Sequence, residues 1–116
     1  MKEAIQITDA GHKGGVDVLR LKGPLDAHNT EALLQRCEPI RLAKRHLVLN
    51  LSGVTFLSSS GIGTLLALSE EFGEHGLMMR VASPSPSART AISLLNLDAF
   101  LQVHASEDDA TKGLAA

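Results

Sequence analysis

Short apolar runs alternate along this chain with segments that carry an apolar residue at every third or fourth position. Such short runs are typical of buried strands, and the three-to-four spacing is typical of helices with one buried face. Strands that alternate with helices favour a mostly parallel sheet joined by right-handed crossovers. The sequence therefore predicts an α/β fold with the element order β-β-α-β-α-β-α-β-α.

We predict strands at five apolar runs: Ala4–Thr8, Val16–Leu21, Leu47–Leu51, Leu77–Ala82 and Phe100–His104. A glycine-rich turn from Gly11 to Gly15 links the first two so tightly that an antiparallel pair is expected at one edge of the sheet. The run Leu47–Leu51 is almost continuously apolar, as expected of a central strand covered on both faces. After the second strand, Gly23 and Pro24 are expected to break the chain.

The first predicted helix begins near Ala27, with Asp26 as its N-cap. Four residues at the spacing i, i+3, i+4 and i+7 form its buried face: Thr30, Leu33, Leu34 and Cys37. Pro39 is expected to kink or end this helix, because proline cannot donate the helical hydrogen bond.

Three further helices follow in the sequence. The second begins near Gly61 and ends at Gly76, with an apolar face formed by Ile62, Leu65, Leu66, Ser69 and Phe72. Pro84 and Pro86 fix the entry to the third, whose inner face carries Ala88, Ala91, Ile92 and Leu95. The segment Ser106–Asp109 resembles a capping box with aspartate in place of glutamate, and it opens a short last helix.

Length and composition limit the classes of protein that this chain can represent. With 116 residues and no internal linker or repeat, it is expected to form one domain over residues 1–116. The net charge of −2 argues against a nucleic-acid partner, because phosphate binding needs clustered Lys and Arg. No run approaches the roughly 18 apolar residues of a membrane span, so no membrane insertion is expected. The single cysteine, Cys37, can form no internal disulfide, which favours a reducing, cytoplasmic location.

The most informative segment is Val54–Gly63, which contains the run Ser58–Ser60 followed by Gly61 and Gly63. It lies between the central strand and the second helix, and ligand sites of open α/β sheets gather at such strand ends. Helix capping explains one serine but does not readily explain three. Each glycine inside a helix costs roughly 1 kcal/mol relative to alanine, so we expect another backbone or another protein to approach closely here.

A serine at the start of a helix is also suited to carrying a phosphate. The added charge of about −2 would face the positive end of the helix dipole and the free amides of the first turn. Phosphorylation there could change the charge that a partner meets without unfolding the domain.

Two segments resemble those of the STAS anti-sigma-factor antagonists, a family of bacterial regulators. Leu47–Leu66 resembles the family's strand, its Asp-Ser-Ser-Gly-like turn and a helix that starts Gly-(Leu/Ile)-Gly. Gly23–Asn29 is similar to the family's Gly-x-(Leu/Ile)-Asp segment, which also precedes a helix. The resemblance extends from about Ala4 to Leu114 and implies a STAS-type domain, with a mostly parallel mixed sheet of about five strands and four helices.

The resemblance implies a regulatory binding protein and not an enzyme. In the family, the serine directly before the glycine is phosphorylated, and by position that serine is Ser60. The kinase is the binding partner, an anti-sigma factor and serine kinase with a histidine-kinase-like ATPase fold. The unphosphorylated antagonist binds it and frees the sigma factor, the phosphorylated form is released, and a serine phosphatase can restore binding. Because the kinase brings the nucleotide, this chain is expected to need no cofactor.

The place of the serine segment at a strand end, together with its two glycines, predicts that a partner binds at Ser58, Ser59, Ser60, Gly61, Ile62, Gly63 and Thr64. Asp26 and Asn29, from the segment Gly23–Asn29, are expected to take part in the same contact. One departure from the family stands among them, because Ser58 occupies the position of the motif's aspartate. An acidic side chain there could orient the phosphate acceptor or contact the partner, and serine would do either less strongly.

Two other functions stay open. One is a STAS adaptor that is not phosphorylated and binds its partner constitutively, such as a subunit of a lipid-transport ATPase, although the run Ser58–Ser60 argues against it. The other is a hydrolase with Ser59 or Ser60 as nucleophile, but no spacing suggests a base and the Gly-x-Ser-x-Gly pattern is absent. The five histidines show no metal-ligand spacing, so we expect no metal site.

Overall fold

In the computed structural model, which describes residues 3–114, five strands form one sheet and four helices pack on it. The strands are β1 (Gln6–Lys13), β2 (Val16–Leu25), β3 (His46–Leu57), β4 (Met79–Ala82) and β5 (Val103–His104). The helices are α1 (Thr30–Leu42), α2 (Ser59–Glu74), α3 (Pro86–Leu94) and α4 (Glu107–Thr111). Spatial order follows sequence order, with β1 antiparallel to β2 and all later neighbours parallel. The predicted α/β class, mixed sheet and element order are confirmed.

The long strand β3 is the centre of the sheet and extends well beyond the predicted run Leu47–Leu51. After Ser52 and Gly53 interrupt the apolar run, Val54 and Leu57 return to the core, at 2% and 6% exposure. β2 pairs with β3 along nearly its whole length, and the two strands end level, with Leu25 opposite Leu57. The carboxyl ends of both strands therefore lie side by side where the serine-rich segment begins.

The main hydrophobic core lies between one face of the sheet and the helices α1, α2 and α3. Alternate β3 residues point into it, and the side chains of Leu47, Leu49 and Leu51 are fully buried. Leu33 and Cys37 of α1 join the same cluster, which confirms Cys37 as a core residue. Burial raises the pKa of the Cys37 thiol to about 12, so the thiol stays protonated and unreactive.

A smaller cluster lies on the other face of the sheet, under the short helix α4. It contains Val16, Val48, Ala82, Ala110 and Leu114. An exposed ion pair supports this helix, because the Arg20 Nε and Nη2 groups donate to the two carboxylate oxygens of Glu107 at 2.8 and 3.0 Å. These contacts hold α4 against β2.

The first two strands differ from the prediction, because both are longer. β1 continues to Lys13, and it passes Gly11 through a register shift at which Gly11 adopts φ +118°. β2 continues through Gly23 and Pro24, which were expected to break it. The register shifts between these two residues, and Gly23 takes φ +110°, a conformation that glycine tolerates. Bulges therefore absorb the irregular residues while strand pairing continues.

Helix α1 starts three residues later than predicted, so Asp26 is not its N-cap. The Asp26 carboxylate instead accepts a hydrogen bond from the His28 amide at 3.1 Å, which closes a local turn. Asn29 occupies the N-cap position. The prediction for Pro39 was also wrong in part, since the helix continues to Leu42.

The remaining helices begin close to where capping residues predict. Ser85 caps α3 by accepting from Ala88 N, and Ser106 caps α4 by accepting from Asp109 N, both at 3.1 Å. The last two strands are shorter than predicted, and β5 is reduced to two residues. Leu95, expected on the inner face of α3, is 55% exposed because the helix has ended before it.

Candidate functional site

A single residue, Ser58, connects the end of β3 to the start of α2. Its backbone is extended, and its side-chain oxygen accepts a hydrogen bond from the Gly61 amide at 3.1 Å. Its own amide donates to the carbonyl of Leu25 at 3.1 Å. Ser58 is thus the N-cap of α2 and ties the helix start to the end of β2. The helix begins at Ser59, two residues earlier than predicted.

Gly61 lies where the first turn of α2 meets the end of β2. A Cβ atom at this position would stand 2.3 Å from the Leu25 carbonyl oxygen and 2.9 Å from Leu57 Cδ1. The close backbone approach expected at the glycines is therefore found at Gly61, and it occurs within the domain. Gly63 differs, since a Cβ atom there would meet nothing within 4 Å.

Ser59 and Ser60 are both exposed on the first turn of α2. Within residues 3–114, their hydroxyl groups make no hydrogen bond, whereas the hydroxyl of Ser58 is engaged in the cap. The carbonyl of Ser60 accepts from the Thr64 hydroxyl at 3.0 Å, which holds the backbone of this turn in place. The first turn of α2 carries no acidic residue, so a negative group added at Ser60 would meet the positive end of the helix dipole.

The serines border a shallow depression between the end of β3 and the turn before α1. Asp26, Ala27 and His28 form one side of it, and Phe56 through Ser60 form the other. The structure thus brings Asp26 near the serine segment, although 32 positions separate Asp26 and Ser58 in the sequence. Asp26 is partly exposed at this site, so a partner seated on the serines could also reach its carboxylate.

The sequence-predicted site residues fall into an exposed and a buried group. Ser59, Ser60 and Gly63 are exposed, and Asp26 and Ser58 are partly exposed. The other four are buried: Asn29, Gly61, Ile62 and Thr64. The buried residues pack at the starts of α1 and α2, and the exposed residues are the ones whose side chains a partner could reach.

Asn29 shows this division most clearly, because its side chain is fully occupied inside the domain. Its Oδ1 atom accepts from the Ile5 amide at 3.1 Å, and its Nδ2 donates to the carbonyls of Pro24 at 2.8 Å and Glu3 at 3.1 Å. With 4% exposure, Asn29 joins the chain before β1, the end of β2 and the start of α1. Its contact with a partner stays a prediction, and the structure shows that its side-chain amide is already engaged inside the domain.

Two exposed apolar residues beside the serines were missed by the sequence analysis. Phe56 of β3 is 56% exposed, and Leu94 at the end of α3 is 77% exposed. They were missed because Phe56 falls in a segment interpreted as a loop and Leu94 lies beside Leu95, which was assigned to the core. The sequence pattern offers no signal that separates Leu94 from Leu95, because adjacent apolar residues often share the apolar face of a helix, as Leu65 and Leu66 do.

Three comparisons place the chain among known proteins. The model of the STAS domain family matches residues 8–110. The anti-sigma-F factor antagonist RsfB of Mycobacterium tuberculosis is 32% identical over 113 residues, which cover 97% of this chain and 91% of RsfB. The crystal structure of an anti-sigma factor antagonist from Mycobacterium paratuberculosis superposes with a TM-score of 0.83 at 30% identity, and the match covers 95% of this chain and 93% of that one.

More distant structures share the fold. The antagonist SpoIIAA in its unphosphorylated form matches with a TM-score of 0.73 at 21% identity, over 93% of this chain and 94% of that one. The structure of the Bacillus cell fate determinant SpoIIAA in its phosphorylated form matches with a TM-score of 0.67 at 23% identity, over 91% of this chain and 95% of that one. Within residues 3–114, no helix has the length and apolar character needed to cross a membrane. No three His, Cys, Asp or Glu side chains in that range are grouped as metal ligands.

Proposed function

The chain belongs to the STAS domain family, and from this membership we propose that it is an anti-sigma-factor antagonist controlled by phosphorylation of Ser60. In the unphosphorylated form it binds an anti-sigma factor that is also a serine kinase, and it thereby frees the sigma factor. Phosphorylation releases the antagonist, and a serine phosphatase restores binding. This cycle takes place in the cytoplasm, and the chain itself has no turnover.

One observation supports modification at this turn: the hydroxyls of Ser59 and Ser60 are exposed and free on α2, while the neighbouring Ser58 performs the capping. Of the two, we assign the phosphate to Ser60 because it directly precedes Gly61, the position that the family modifies. A kinase can therefore reach Ser60 without unfolding the helix. Transfer forms a bond from Ser60 Oγ to the γ-phosphorus of ATP and breaks the bond between that phosphorus and the bridging oxygen of ADP. The hydroxyl proton passes to a base of the kinase.

The charge of the phosphate explains why phosphorylation would release the partner. A bound anti-sigma factor would cover the first turn of α2 and enclose a phosphate on Ser60 in a depression of this chain that is lined by Asp26 and by no Lys or Arg. An unpaired charge in a closely packed interface costs several kcal/mol, and a micromolar complex is held by only about 8 kcal/mol. In the free protein the same charge stays hydrated and faces the helix N-terminus, so the fold persists.

The departure at Ser58 is compatible with this proposal. The side chain of Ser58 caps α2, and aspartate and serine are both strong N-cap residues. Serine therefore preserves the local backbone that presents Ser60. Because the cap is preserved, we expect phosphorylation of Ser60 to persist. Ser58 lacks the negative charge of aspartate, and we expect Ser58→Asp to speed phosphorylation if it has any effect.

The test uses an anti-sigma factor from the same genome that binds the wild-type protein. After incubation with ATP, mass spectrometry is expected to find one phosphate, located on Ser60. Ser60→Ala should abolish it and keep the binding affinity, while Ser60→Glu should weaken binding about a hundredfold, which corresponds to about 3 kcal/mol. Ser59→Ala is the matched control for phosphorylation, because it removes the adjacent exposed hydroxyl and should leave the phosphate on Ser60.

Phosphate on Ser58 or Ser59 would contradict the assignment of Ser60. Tight binding without any phosphorylation would contradict the proposed switch and would favour an adaptor that binds its partner constitutively. Ester or ATP hydrolysis by the pure chain that is lost in Ser60→Ala would overturn the proposal of a protein without turnover.

A further inference from the structure

A second depression adjoins the serine site and lies between the end of β3 and α3; we call it the α3 groove. Its lining includes Phe56, Leu57, Pro86, Thr90, Ala91 and Leu94. We propose that the α3 groove receives an uncharged, apolar side chain of the same anti-sigma factor that covers Ser60. This inference rests on the function proposed above and extends it to the partner's chemistry.

The groove exists because α3 takes the place of a strand beside β3. β4 pairs with β3 only as far as Asn50, so the second half of β3 has no strand on that side. Ser85 fastens α3 there: its hydroxyl donates to the Val54 carbonyl at 2.6 Å, and its amide donates to the Leu51 carbonyl at 3.1 Å. The start of α3 is therefore held against β3, and its last residue, Leu94, lines the same depression as Phe56.

The α3 groove is continuous with the serine site. Phe56 and Leu57 line both depressions, so a partner seated over Ser60 would also cover the groove. Phe56 is shared by the two depressions and is 56% exposed. A surface that spans both depressions is closer to the size of a specific interface than the serine turn alone.

The lining of the groove determines what it can bind. No residue of the lining has an ionisable side chain, and the only polar side-chain groups among the lining residues are the hydroxyls of Ser87 and Thr90. Leu94 and Phe56 expose most of their apolar side chains, whereas a soluble protein usually exposes such residues singly. A charged side chain would lose hydration here without gaining an ionic partner, so an aliphatic or aromatic side chain fits best.

The two depressions would then contribute differently to the interface, one to affinity and the other to regulation. Burial of apolar surface in the α3 groove supplies affinity that does not depend on phosphorylation. Ser60 supplies the switch, because its charge changes while the groove stays the same. Loss of the groove contact should therefore weaken binding of the unphosphorylated protein even though every serine is intact.

The decisive comparison uses two leucines in matched positions. Leu94 ends α3 and Leu42 ends α1, and both are largely exposed, at 77% and 64%. Leu42 lies four positions before β3 begins at His46, so it lies toward the opposite end of that strand from Ser58, which follows it. Leu94→Ser and Leu42→Ser therefore remove the same apolar group from two exposed helix ends, one lining the α3 groove and the other outside it.

Each purified anti-sigma factor encoded in the same genome is titrated by calorimetry into the wild-type protein, and the one that binds is used for the variants. We expect Leu94→Ser to weaken binding at least tenfold, as residues at the centre of an interface do. Leu42→Ser should change it less than twofold, and Leu94→Met should restore most of the affinity. Circular dichroism and thermal unfolding should match the wild-type protein in all three, because the substituted side chains are exposed.

Three outcomes would overturn the inference. Equal affinities of Leu94→Ser and Leu42→Ser would remove the groove from the interface while leaving the antagonist function standing. Self-association of the wild-type protein in sedimentation velocity, lost in Leu94→Ser with unchanged partner affinity, would assign the groove to a second copy of the chain. Absence of binding by the wild-type protein to any anti-sigma factor would reject the proposed function and the groove together.

Discussion

Three consecutive serines at the start of α2 have two different structural roles. Ser58 turns its hydroxyl inward and caps the helix, whereas Ser59 and Ser60 leave theirs in solvent. The sequence showed that capping accounts for only one serine, but it could not tell which one, because the predicted helix began two residues too late. The N-cap geometry of Ser58 settles that point, and it leaves Ser60 free for the proposed modification.

Gly61 and Gly63, in the first turns of α2, lead to opposite predictions for stability. Gly61→Ala should destabilise the domain by about 1–3 kcal/mol, because its Cβ atom would stand 2.3 Å from the backbone oxygen of Leu25. Gly63→Ala should stabilise it by up to about 1 kcal/mol, since the position is open and alanine favours the helix. Urea unfolding monitored by circular dichroism measures both. Equal effects of the two substitutions would contradict the close contact at Gly61.

This contrast shows how far sequence reasoning reaches at the scale of single residues. A glycine inside a helix indicates a close approach, but sequence cannot say from which side. The approach at Gly61 comes from β2, a strand more than thirty positions earlier, so only the tertiary structure reveals it. Gly61 is therefore a packing residue, whereas Gly63 is exposed with open space beside it.

At the scale of elements, the order of strands and helices was predictable and their ends were not. The alternation of apolar runs fixes which segments form elements, because each must bury one face. Their ends depend on contacts with distant residues. Gly23 and Pro24 stay in β2 because each pairs with a residue of β3. The same pairs extend β3 six residues past Leu51. The candidate site sits at these ends, which is why its local geometry could not be predicted.

The attachment of α3 to β3 gives a prediction at this scale. Ser85 is buried, caps α3 and donates to the Val54 carbonyl at 2.6 Å. Ser85→Ala removes the cap and leaves a buried carbonyl without its donor, so it should destabilise the domain by about 2 kcal/mol. Ser106→Ala is the control, because it removes the cap of the short helix α4 at a more exposed site. A loss no larger for Ser85→Ala than for Ser106→Ala would show that the Val54 contact is unimportant.

The whole molecule has two unequal faces. Helices α1, α2 and α3 share one large core with the sheet, and their junctions with the strand ends form the serine site and the α3 groove. The other face is covered in part by α4 alone, over a small apolar cluster. Partner binding is thus proposed at one end of the sheet, while the anchoring of α4 occurs on a separate surface. Changes to the α4 anchor should therefore alter stability without altering the serine switch.

That separation can be tested through pH, because the anchor of α4 contains a titrating group. The hydrogen bond from Arg20 lowers the pKa of Glu107 below its ordinary value of 4.5, with a further contribution from the Asn50 side chain and some opposition from burial. A carboxyl group whose pKa is lower in the folded state stabilises the fold when it is ionised. The stabilisation is present above its ordinary pKa and disappears as the pH falls through the lower folded value.

Glu107→Gln should therefore be less stable than the wild-type protein at pH 7, by no more than about 1 kcal/mol because the ion pair with Arg20 is exposed. The difference should shrink as the pH is lowered below the ordinary value of 4.5, since the wild-type carboxyl then becomes neutral as well. Urea unfolding of both proteins across this range measures the difference, and binding of the anti-sigma factor at pH 7 should be the same for both. A difference that stays constant with pH would mean that Glu107 acts through packing of α4 and not through its charge.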